Sequence, residues 1–126
     1  MRYVIAVKNS VYGAQGAFSA YQLAQEIVER GHEISQIFFW QDGVSNANDF
    51  VHPANDEFNL VKAWQEFSQQ YNIPLHLCIS ASQRRGIVDN LTALLPSQRN
   101  LADYFVLAGL GEFMQATLEA DRVVTL

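Results

Sequence analysis

The chain has 126 residues, 49% hydrophobic and 17% charged, with a formal net charge of −5. That balance buries a core and excludes wholesale disorder, while its scattered Arg and Lys exclude electrostatic capture of nucleic acid over a broad surface. The single cysteine, Cys78, excludes an internal disulfide, a CxxC redox pair and a Cys-rich zinc site.

The opening MRYVIAVKNS reaches Lys8 too soon for a signal-peptide core, and no apolar run approaches the roughly 20 residues of a membrane span. A soluble, cytoplasmic protein is expected, in which a lone thiol stays reduced. Tyr3 to Val7, rich in β-branched residues, predicts a buried strand. The loop KNSVYGAQG follows. From about Gln15 to Arg30, Ala17, Tyr21, Ala24 and Val28 recur at helical spacing, and Gly31 supplies the stop. Glu33 to Trp40 predicts a second strand. The polar stretch Gln41 to Asp56 is long for a simple connection, and such loops are often functional. Gln41 to Asn55 within it is the expected docking segment, with a helix beginning near Asn55 or Asp56. Leu60, Trp64, Phe67 and Tyr71 make one apolar stripe on that helix. Pro74 to Ile79 predicts a third strand, carrying Cys78 near its end.

Ser80 and Gln83 match a capping box, the signature of a helix start, and Gly86 limits the helix that follows. A short helical piece is expected over Val88 to Leu95, ended by Pro96. Tyr104 to Ala108 predicts a fourth strand. Leu110, Met114 and Thr117 or Leu118 give a further helical face, and Arg122 to Leu126 a fifth strand. With no linker, repeat or low-complexity block, a single domain over 1–126 is expected. Strands alternating with helices imply an α/β fold with a parallel sheet covered on both faces. Ligands and catalytic groups of such sheets gather at the carboxyl ends of the strands, where Cys78 falls.

Two readings of Cys78 are open at this point. A helix start just past it, with Arg84 and Arg85 within two turns, would favour thiolate, the nucleophilic form. An unpaired cysteine on a strand is also commonly buried and inert. His76 shares a strand face with Cys78, although side chains two apart on a strand rarely bond directly. His32 sits in a turn and His52 in the long loop. No two histidines have metal-ligand spacing. GAQG lacks the Lys-Ser/Thr ending of a P-loop. GLGEFM has Met114 where a dinucleotide fingerprint needs its third glycine. Both glycine pairs read as tight strand-to-helix turns.

The segments VYGAQGAFSAYQLAQ, IFFWQDGVSNAN, PANDEFNLVKAWQ and LCISASQRRGIVD, in that order and spacing, resemble the DsrE/TusD-like sulfurtransferases. The resemblance extends through LAGLGEFMQATLEADRVVTL and so covers essentially the whole chain. It implies a three-layer α/β/α fold with a mainly parallel five-stranded sheet, and no cofactor or metal. It also implies a catalytic cysteine at Cys78 that carries sulfane sulfur as a persulfide. The implied partners are TusB-like and TusC-like subunits in a heterohexamer, a TusA-like donor and a TusE-like acceptor. The sulfur ends on the wobble uridine of tRNA, which this chain is not expected to hold directly. The alternative is a non-catalytic assembly subunit of a related heteromeric complex.

Overall fold

Runs of β-branched and aromatic residues become strands where glycine, proline or polar turns bound them. In the computed structural model, which describes residues 1–126, these are β1 (Arg2–Val7), β2 (Glu33–Phe39), β3 (Leu75–Cys78), β4 (Phe105–Ala108) and β5 (Arg122–Thr125). They form one five-stranded sheet in the order β4-β3-β2-β1-β5. Every pairing is parallel, so all carboxyl ends open on one edge. The helices are α1 (Gly16–Glu29), α2 (Leu60–Tyr71), α3 (Ile79–Arg84) and α4 (Leu110–Glu119).

Alternation along the strands sends Ile5, Val7, Ile37, Phe39, Leu75 and Leu77 to one face. There α1 and α2 close the main core over them. Trp64 is its centre, edge-on to Phe39 at 5.2 Å and to Tyr21 of α1 at 5.3 Å. Val4, Ala6 and Phe38 point the other way and are also fully buried. On that side α4 crosses the sheet and stacks Phe113 on Phe38 at a centroid distance of 4.2 Å. Helices therefore lie on both faces, the α/β/α layering expected from the sequence. Gly31 ends the turn after α1 at φ +82°, and Asn72 caps α2 at φ 54°, both left-handed positions that a β-branched residue would strain.

The long segment after β2 is less loop-like than its polarity suggests. Gln41–Ala47 winds into a 3₁₀ helix, and Gly43, Val44, Asn46 and Ala47 are buried. A side chain at Gly43 would collide with the Val7 carbonyl, so glycine lets this turn press against the end of β1. Asn46 donates to Gly43 O at 2.8 Å and accepts from Trp64 Nε1 at 3.0 Å, which locks the turn into the core. The expected start of α2 at Asn55 or Asp56 is corrected to Leu60, with Asn59 as its cap through Lys62 N at 3.1 Å. Residues Ala54 to Glu57 close a turn of their own, in which Ala54 N donates to Glu57 Oε1 at 3.0 Å.

No helix forms over Val88 to Leu95. Asp89 accepts from Thr92 N as a helix cap would, but Gln98 Oε1 then takes the amides of Leu94 and Leu95, and Val88 O accepts from Asn100 N and Leu101 N, so the turn goes no further. A single 3₁₀ turn, Pro96–Gln98, is the only helical piece in that region. No helix of the chain is long and apolar enough to cross a membrane.

Candidate functional site

Cys78 is the last residue of β3 and stands opposite Ala108, the last residue of β4. It is also the N-cap of α3, at φ −62° and ψ 124°. The strand thus passes into the helix with no loop between, which is why the expected Ser80–Gln83 capping box does not form. Ser80 is already inside the helix, and no side chain caps its start. The sulfur makes no cap hydrogen bond, and the unpaired amides of the first turn of α3, the positive end of its dipole, begin beside it.

Leu75 and Leu77 are fully buried, whereas Cys78 is half-buried at the margin of the core. Ile79 and Ser80 beyond it are exposed. The thiol therefore sits where packing gives way to solvent.

α3 is held in place from both sides. Arg85 Nε donates to Asp42 Oδ1 at 2.9 Å, joining the end of α3 to the 3₁₀ turn after β2. Asn100 Nδ2 donates to Gly86 O at 3.0 Å, and its Oδ1 accepts from Val88 N at 2.6 Å, which pins the chain leaving α3. These contacts revise the expected electrostatics. Arg85 is paired with a carboxylate, and Arg84 lies in the last turn of the helix, away from its N-terminus. Neither arginine lies at the start of α3, where Cys78 sits as N-cap. Asn46 and Asn100 were not singled out from the sequence. Their only signal there was a polar residue among small and apolar neighbours, a pattern shared with many surface turns.

His76 lies on the face covered by α4, with Nδ1 3.9 Å from Glu112 Oε2 and no hydrogen bond. Burial pushes its imidazole below the ordinary value, and the Glu112 carboxylate partly offsets this. No hydrogen bond joins His76 to Cys78. His32 Nδ1 lies 3.1 Å from the N-terminal amine, at the opposite edge of the sheet, and His52 is exposed. No three His, Cys, Asp or Glu side chains gather as a metal-binding group. Gly109 caps α4 directly after β4, and Gly16 opens α1 against Asn9. Gly109 makes the tight strand-to-helix turn read from the sequence, whereas Gly111 lies inside α4 and the chain from β1 to α1 is a longer loop.

A model of the DsrE/DsrF-like family matches residues 1–126. The chain belongs to this family. Its relatives include a sulfurtransferase TusD homolog of Haemophilus influenzae, 65% identical over 126 residues and covering 100% of both chains. A second, from Pasteurella multocida, is 60% identical with the same coverage. Among solved structures, the ychN protein of E. coli superposes with a TM-score of 0.80 at 26% identity, over 99% of this chain and 98% of the other. A protein of unknown function from Methanobacterium thermoautotrophicum shares the fold at a TM-score of 0.69 and 11% identity, with the same coverage. The sheet of this DsrE/DsrF-like chain is wholly parallel, where the sequence implied a mainly parallel one. The transferase class expected from the sequence agrees with the names of its relatives.

Proposed function

We propose that this DsrE/DsrF-like protein is a sulfur-relay transferase that carries sulfane sulfur as a persulfide on Cys78. The observation that carries the reading is the position of the sole thiol of the chain: at the carboxyl edge of the sheet, half-buried, at the start of α3 and free of side-chain hydrogen bonds. The names of its relatives support sulfur transfer as the activity.

The chemistry balances without an added oxidant. The Cys78 thiolate attacks the outer sulfur of a persulfide on the donor. The S–S bond of the donor breaks, its inner sulfur leaves as a thiolate, and the outer sulfur stays on Cys78. An acceptor thiolate then attacks that outer sulfur, and Cys78 departs as the thiolate. Both steps follow the rules of thiol–disulfide exchange, in which access to the sulfur and the quality of the leaving thiolate set the rate. Since donor and acceptor each bring a cysteine, no second thiol in this chain is needed.

In this reading the donor is a TusA-like carrier and the acceptor a TusE-like protein. TusB-like and TusC-like subunits complete a heterohexamer, and the sulfur ends on the wobble uridine of tRNA. The test is a chase with isotope-labelled sulfur loaded on the donor. Label should appear on this chain first, move to the acceptor when it is added, and bypass neither step. Label passing to the acceptor at the same rate with a Cys78→Ser protein would refute the reading and leave the chain an assembly subunit.

A further inference from the structure

A parallel sheet is normally covered on both faces. The second face of this sheet has only α4, ten residues long. α4 turns Phe113 down onto Phe38 and directs the row Leu110, Met114 and Leu118 outward, with Met114 56% and Leu118 81% exposed. Val106 on β4 and Val123 on β5, at the two edges of the sheet, face the same side and are exposed. The sequence marked Leu110, Met114 and Thr117 or Leu118 as one helical face. Its spacing is that of a core stripe, but nothing within the chain covers it.

The same helix carries a second feature. Glu112, Gln115 and Glu119 line a cavity of about 300 Å³ that reaches Gln36 on β2. Gln36 is 6% exposed, and its Oε1 has no hydrogen-bond partner. A buried acceptor without a donor is a cost that native structures rarely leave unrelieved. The cavity offers two carboxylates and this orphan amide oxygen, and α4 holds no Lys or Arg. A cation on a flexible stem, donating hydrogen bonds, complements that set. A second copy of the chain docked by a two-fold axis would instead bring another Glu112 and Glu119 to the same seam.

We propose that the α4 face is a docking surface for a different subunit of the relay assembly. That subunit lays an apolar patch over the Leu110–Leu118 row and inserts one lysine or arginine between Glu112 and Glu119 toward Gln36. The inference rests on the heteromeric reading above and deepens it.

The test is co-expression with the TusB-like and TusC-like subunits, read by native mass spectrometry and by titration at several salt concentrations. The wild-type chain should assemble. Met114→Asp/Leu118→Asp should abolish assembly, while the isolated variant keeps its circular dichroism, its melting temperature and its sulfur uptake on Cys78. Glu112→Gln/Glu119→Gln should weaken assembly about tenfold or more and flatten its salt dependence. Normal assembly of both variants would overturn this inference while leaving the heteromeric reading standing. Failure of the wild-type chain to assemble would overturn that reading and the inference with it. Self-association of the isolated chain, dissolved by the Leu118 change, would make a second copy the occupant and also overturn the proposal. A silent Glu112/Glu119 variant beside a disrupted Leu118 one would overturn the cationic anchor.

Discussion

Cys78 and His76 are two residues apart on one short strand, and the structure gives them separate surroundings. Cys78 ends the strand, half-buried at the margin of the core, while His76 lies under α4 beside Glu112. Desolvation depresses the imidazole of His76, so the unfolded chain binds the proton more readily than the folded one. The stability that follows is fully present above the ordinary value of about 6.5. It is lost as pH falls from there toward the folded value. An NMR titration should place the His76 midpoint below that of an unfolded control, and Glu112→Gln should lower it further by removing the carboxylate that favours imidazolium. A midpoint above the control would contradict the assigned burial.

Among the elements, the 3₁₀ turn after β2 differs most from its sequence reading. Its residues are polar or small, which is the composition of a solvated loop, yet Asn46 is fully buried and satisfied by the indole of Trp64. Trp64→Phe leaves the Asn46 oxygen without a donor and should cost about 1–3 kcal/mol in urea unfolding. A double-mutant cycle with Asn46→Ala should show coupling between the two sites, and strictly additive losses would contradict a shared hydrogen bond.

The strands were legible because Tyr3–Val7 and Tyr104–Ala108 pack β-branched and aromatic side chains between turn residues. α1 and α2 were legible from their apolar spacing. Side chains competing for backbone amides were not. Gln98 removes a predicted helix by taking the amides of Leu94 and Leu95, and Asn59 moves the start of another. Cys78 replaces Ser80 as the cap of α3, since the strand turns at the cysteine itself. The position of Cys78 at the carboxyl end of a strand was readable from the alternation of strands and helices, but the pairing of Arg85 with Asp42 spans 43 residues and left no local mark.

For the molecule as a whole, five parallel strands raise one thiol to the edge where all their carboxyl ends meet. The main core lies under α1 and α2, and the α4 side is thinly covered. Spacing alone identified the Leu110 row as apolar and did not say whether it faces inward. A thiol-bearing edge and an unpartnered face together fit a protein that works between other proteins. The central claim is narrower: Cys78 holds sulfur covalently. Its most direct test is the intact mass of the purified chain after incubation with a small-molecule persulfide donor. The prediction is one added sulfur atom, removed by reductant and absent from Cys78→Ser. An unmodified wild-type chain, or the same reductant-labile adduct on the Cys78→Ser protein, would contradict it.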